Sequence, residues 1–228
     1  MAPLDFCPTL AEMYRTGMAK NASGVETQVT GLSTVNNLLL IRRIMLELKP
    51  GATLEVGLAA GGSALTFTAS HRDLGASAAR QHIAIDPYQR NFVGTTLLRR
   101  AKLDPFCEVI EEPSCLALPR LMREGRRFDL IYVDGSHAFQ EAIIDFYYAR
   151  HLLPIGGVVL FDDCTSRGVS ELIKFIRTEI VSMREFDLSP FRDDPARYRI
   201  ARLLRKAQCL AFKKIADPRK DESWQWEH

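Results

Sequence analysis

Apolar positions along the chain follow two alternating rhythms. In "STVNNLLLIRRIMLEL", from Ser33, they recur at helical spacing, and "KPG" at Lys49 to Gly51 ends that helix. Short apolar runs then alternate with helix-like ones. "ATLEVG" predicts a first strand and "QHIAIDP" a second, with "GGSALTFTASHRDLG" as the helix between them. "FCEVIEE" predicts a third strand after the helical "NFVGTTLLRRAKL", and "FDLIYVDG" a fourth after "CLALPRLMREG". A long amphipathic helix, "AFQEAIIDFYYARHLL", leads to the fifth strand, "GGVVLFDD". Strands this apolar, separated by helices, predict a doubly wound, mostly parallel α/β sheet covered on both faces. "VSELIKFIRTEIV" reads as a further helix, and "REFDLS" with "CLAFKKI" as a terminal antiparallel pair.

Residues 1–30 read as polar and turn-rich, with "NASGVETQVTG" as a loop before the first helix. The expected division is a helical and loop cap over 1–50, a ligand-binding domain over 51–216 and a tail over 217–228. The tail has no periodicity. Its Trp224 and Trp226 can dock on the domain or on a second chain, which leaves a homo-oligomer open.

Composition changes this picture little. A chain of 228 residues with 46% hydrophobic content can bury a full core. A net charge of +2 writes no strong attraction to nucleic acid or membrane into the whole chain. The five cysteines form no CxxC pair and are odd in number, which speaks against a disulfide framework or zinc ribbon and for a reducing compartment. With Asp5 in the N-terminus, no signal-peptide core and no run of ~18 apolar residues, a soluble cytoplasmic protein is expected.

The strand ends carry the chemistry, because ligands of open α/β sheets bind beyond the carboxyl ends of the strands. Those ends read Glu55-Val56-Gly57, Asp86-Pro87-Tyr88, Glu111-Glu112-Pro113-Ser114, Asp134-Gly135-Ser136-His137 and Asp162-Asp163, so all five carry a carboxylate. The loop "GLAAGGSA" is no phosphate loop, since no Lys-Ser/Thr follows its glycines. Nor does it fit G-x-G-x-x-G, because Leu58-Ala59 follows Gly57 and the second glycine is missing. With no Lys or Arg nearby and Glu55 alongside, the loop suits a cationic ligand. S-adenosylmethionine carries an ammonium and a sulfonium and no phosphate. Glu55 would face the ammonium, Gly57 and Gly61 would let the backbone approach, and the amides near Ser63 would hold the carboxylate. Asp86 would accept the ribose hydroxyls.

"LEVGLAAGGSAL", "IAIDPY", "FDLIYVDGSH" and "LLPIGGVVLFDD" resemble successive motifs of the class I S-adenosylmethionine-dependent methyltransferases, over about Leu38 to Asp163. The resemblance implies a seven-stranded sheet with the last strand inserted antiparallel. It implies cofactor contacts from Leu58, Ala59, Pro87, Tyr88, Asp134 and His137, and adenine binding at Ser114 and Cys115, where "EEPSCLALPRL" is similar to the catechol-type O-methyltransferases.

For the methyl acceptor, strand four has "DGSHAF" in place of the Asn/Asp-Pro-Pro-aromatic sequence usual in enzymes that methylate bases. Asp134, Asp162 and Asp163 would converge as hard oxygen ligands for Mg²⁺ or a similar cation, able to grip a substrate hydroxyl and lower its pKa. This is similar to the metal positions of catechol, caffeoyl-CoA and macrolide-sugar O-methyltransferases. Two departures stand out: Asp163 lies where catechol-type enzymes generally have Asn, and their lysine near Asp134 is absent. His137, three residues after Asp134, is the expected base. His71, His82, His151 and His228 read as structural or solvated, and Cys164 as a buried thiol. The basic "YRIARLLRKAQCLAFKK" reads as a solvated face, which speaks against a nucleic-acid partner. The leading expectation is methyl transfer to a hydroxyl of a small molecule. The alternatives are a methyltransferase for RNA or protein and an NAD-dependent oxidoreductase or silent binding protein on the same fold.

Overall fold

The computed structural model describes residues 4–77, 81–88 and 93–218. Trp224, Trp226 and His228 lie outside the described residues. Seven strands form one mixed sheet in the order β5-β4-β3-β6-β7-β9-β8. They are β3 (Thr53–Val56), β4 (His82–Ile85), β5 (Cys107–Ile110), β6 (Leu130–Val133), β7 (Val158–Phe161), β8 (Met183–Phe186) and β9 (Leu210–Lys214). The five predicted parallel strands are β3 to β7. The terminal pair is antiparallel, with β9 inserted between β7 and β8. Every residue of β3, β4, β6 and β7 is buried, as strands covered on both faces require.

The chain divides into two compact units, Met1–Ala117 and Leu118–His228. The first holds more structure near its start than the polar sequence suggests. Helix α1 (Pro8–Thr16) opens on a proline and buries Leu10 and Met13. It leads into a small hairpin of β1 (Met18–Lys20) and β2 (Glu26–Gln28). Asn21 organises the turn, its Oδ1 accepting from the Ser23 and Val25 amides at 3.0 Å each. A three-residue strand has no period to detect, which is why this hairpin escapes a reading of hydrophobic rhythm.

Helix α2 (Val35–Leu48) is capped by Thr34, whose side chain accepts from the Asn37 amide. Helix α3 (Gly62–Asp73) is buried on all sides from Gly62 to His71. Its hydroxyls tolerate this by bonding back to carbonyls four residues earlier: Thr66 to Gly62, Thr68 to Ala64 and Ser70 to Thr66. Helix α4 (Val93–Arg100) precedes β5, and α5 (Ser114–Arg123) follows it.

In the second unit, α6 (Phe139–Leu152) and α7 (Arg167–Glu179) flank β7, and α8 (Pro195–Leu203) connects β8 to β9. Lys214 at the end of β9 donates to the carbonyls of Arg150 and Leu153 at 2.7 Å each, placing a cation at the carboxyl end of α6. Its burial lowers its pKa. Among the described residues, no helix is long and apolar enough to cross a membrane.

Candidate active site

The glycine loop lies in the first unit. Gly57, Ala59 and Gly61 all have positive φ, at 97°, 41° and 83°. This coil turns successive amides toward one place. The carboxylate of Asp86, just past β4, accepts from the amides of Leu58 (3.1 Å) and Ala59 (2.8 Å) through Oδ2, and from the Tyr88 amide (2.9 Å) through Oδ1. Asp86 therefore shapes the loop as well as offering its remaining lone pairs. A Cβ on Gly61 would lie 3.0 Å from the Cα of Gly94, so no side chain fits there.

Gly61 caps α3 without a side chain, which leaves the first amides of the helix, including that of Ser63, with no side-chain cap. Ser63 itself is buried, whereas Pro87 and Tyr88 are exposed, Tyr88 by 72%. Ser114 begins α5 half-buried, with Cys115 exposed beside it.

Glu55 is fully buried, and neither of its carboxylate oxygens has a hydrogen-bond partner. The nearest cationic candidate is His82, whose Nε2 lies 3.4 Å away. His82 and His71 are both structural, as the sequence suggests. The Thr53 hydroxyl bridges His82 Nδ1 and His71 Nε2 at 2.9 Å each, and Phe67 stacks on His82. Burial, followed by the neighbouring His82, lowers the His71 pKa to about 4. An unpartnered buried carboxylate, an uncapped helix start and a tight glycine coil fit an ammonium and a carboxylate on the same ligand.

The residues expected at the acceptor end lie in the second unit, past β6 and β7. His137 Nε2 is 2.9 Å from Asp163 Oδ2, and the side chain of His137 is 45% exposed. One ligand atom from each of Asp134, His137 and Asp163 falls within 4.8 Å of the other two. Asp162 lies outside this group. It is buried, accepting from the Tyr132 hydroxyl at 2.6 Å and from the Asp163 amide at 2.8 Å. The Tyr132 hydroxyl also lies 3.2 Å from Asp134. Burial, then the charges of Asp134 and Asp162, push its pKa well up, so it stays a donor.

Asp163 adopts φ 48°, uncommon for a residue with a side chain, and the Gln208 amide donates to its Oδ1. Tyr132 and Gln208 carry no motif. Tyr132 could have been found by strand alternation, since it stands two residues before Asp134 and so on the same face. Gln208 is forty-five residues from Asp163 in sequence and has no such signal. Cys164 is a buried thiol as expected, its pKa pushed up by burial.

An open, mostly parallel sheet with an inserted antiparallel strand is the architecture of the methyltransferase fold. Residues 54–164 match a family model described as a methyltransferase domain. The chain has the fold of the methyltransferases, and the match to a methyltransferase domain speaks against the oxidoreductase alternative.

No curated protein matches the chain. Among solved structures it is similar to a putative O-methyltransferase from Klebsiella pneumoniae, with 15% identity, TM-score 0.65 and coverage of 92% of this chain and 90% of that one. An O-methyltransferase from Bacillus cereus in complex with SAH gives 15% identity and TM-score 0.63, with 90% of each chain covered. The O-methyltransferase TomG from Streptomyces achromogenes, involved in tomaymycin synthesis and in complex with SAM, gives 14% identity and TM-score 0.59, with coverage of 95% and 91%.

Proposed function

We propose that the protein transfers the methyl group of S-adenosylmethionine to a hydroxyl of a small organic molecule. The observation that carries this is the half-exposed His137 imidazole held 2.9 Å from Asp163 beside Asp134. With Nε2–H donating to Asp163, the lone pair sits on Nδ1, which takes the hydroxyl proton. The oxygen attacks the methyl carbon, the carbon–sulfur bond breaks, and S-adenosylhomocysteine leaves with the electron pair. The similar O-methyltransferases from Bacillus cereus, with SAH bound, and Streptomyces achromogenes, with SAM bound, support the same reading. The cofactor is held by the loop from Gly57 to Gly61, the start of α3 at Ser63, Asp86, Pro87 and Tyr88, with Ser114 and Cys115 at the adenine.

A second reading rests on the same cluster. Two carboxylates and an imidazole within 4.8 Å of one another can hold a divalent cation such as Mg²⁺, with Asp162 anchoring the strand end instead of ligating. Such an ion would supply charge and positioning for the hydroxyl, and His137 would then be a ligand and no base. Turnover of a hydroxylated acceptor panel with excess EDTA or with added Mg²⁺ separates the two. Full activity in EDTA, with one ionisation lost from the pH–rate profile of His137→Ala, supports the base. Activity that follows the metal supports the ligand set. Methylation of none of the hydroxylated acceptors, with cofactor bound, would reject hydroxyl transfer.

A further inference from the structure

A pocket of about 290 Å³ in the second unit is lined by four cationic side chains: Lys174 and Arg177 of α7, with Arg202 and Arg205 at the end of α8. The hydroxyl-bearing Ser170 and Thr178 also line it, and Cys164, Ile173 and Leu210 give it an apolar floor. The one acid in the lining is Glu171. Arg177 is partly satisfied by Glu185, its Nε donating at 3.0 Å, and Arg202 reaches Asp187 at 3.5 Å. Lys174 Nζ and the Arg205 guanidinium have no partner among the described residues. Two uncommitted cations over an apolar floor suit a ligand with an apolar body and an oxyanion.

The pocket is linked to Asp163 through Cys164 and Gln208. Its wall residue Cys164 follows Asp163, and the Cys164 amide donates to the Gln208 carbonyl at 2.9 Å. Gln208, next to the lining residue Ala207, donates in turn to Asp163. We propose that the pocket receives a phosphate or carboxylate group of the methyl acceptor, so that the substrate class is a hydroxylated organic anion. The proposal rests on the reading of Asp134, His137 and Asp163 as the acceptor end.

The test has two arms. In the first, the full chain is titrated with inorganic phosphate at low ionic strength, beside the Lys174→Glu/Arg205→Glu variant. The expected result is phosphate affinity weakened about tenfold or more in the variant, with cofactor affinity and unfolding midpoint unchanged. Equal phosphate affinity in both proteins overturns the proposal. In the second arm, catechol and 3,4-dihydroxybenzoate, which differ by one carboxylate, are compared as acceptors. Wild type should favour the acid in kcat/KM about tenfold, and the variant should lose that preference. No preference in wild type overturns the assignment to the acceptor. If neither acceptor is methylated while the variant still loses phosphate, the anion site stands and the hydroxyl-transfer reading falls instead.

Discussion

Asp86 shows how one side chain serves two purposes. Its oxygens hold three amides of the glycine loop and its own turn, so the loop geometry and the proposed ribose contact would depend on the same carboxylate. Asp86→Ala should weaken S-adenosylmethionine binding by ~1.5–3 kcal/mol, read by calorimetry, because a charged acceptor is lost. An unchanged dissociation constant would remove Asp86 from the site. His71 gives a prediction of opposite kind, about stability alone. Its pKa falls from 6.5 to about 4 on folding, so between those values the unfolded chain binds the proton and the folded chain does not. Stability should therefore drop by about 2–3 kcal/mol as pH falls from 7 to 4.5, and level off below 4. Urea unfolding at the two pH values, compared with His71→Gln, isolates this contribution, which the variant should lack.

The elements position His137 by close packing of their starts. Gly168, in the first turn of α7, has no room for a side chain. A Cβ there would meet the His137 carbonyl oxygen and come within 2.6 Å of the Phe139 amide nitrogen. Both are backbone atoms at the entry to α6, so they cannot swing aside as a side chain would. Gly168→Ala should force α6 and α7 apart at this end, costing about 1–3 kcal/mol in thermal unfolding. It should also displace His137, seen as a changed imidazole signal by NMR and lowered turnover. A variant with wild-type stability and imidazole signal would show that this contact is slack. Helix α8 answers a different question, about the basic stretch. Its Asp194 caps the first turn by accepting from the Arg197 amide, and Arg202 pairs with Asp187. Part of the positive charge is thus balanced locally.

At the scale of the whole molecule, burial sorts the five cysteines. Cys7, Cys107, Cys164 and Cys209 are buried free thiols, and Cys115 alone is exposed. Burial pushes the thiols of the four buried ones up, furthest from reactivity at Cys107, Cys164 and Cys209. A native titration with a thiol reagent should modify one cysteine per chain, and all five only after denaturation. Protection of that single thiol by S-adenosylhomocysteine would agree with adenine binding at Cys115. Modification of several thiols without denaturant would show that the core opens readily.

The alternation of apolar runs with helical spacing determined the sheet, the order of β3 to β7 along the chain and the antiparallel end. Each strand buried on both faces must be apolar throughout, and that leaves its mark in one dimension. The acidic strand ends and the glycine loop without a cation were legible for the same reason, since they are contiguous in sequence. Only the folded chain decided which carboxylates meet. Asp162 and Asp163 are neighbours in sequence, yet opposite side-chain directions send one to Tyr132 and the other to His137 and Gln208. The anion pocket likewise joins α7 to residues about thirty positions further on. Contacts between distant segments depend on packing, which no local pattern encodes.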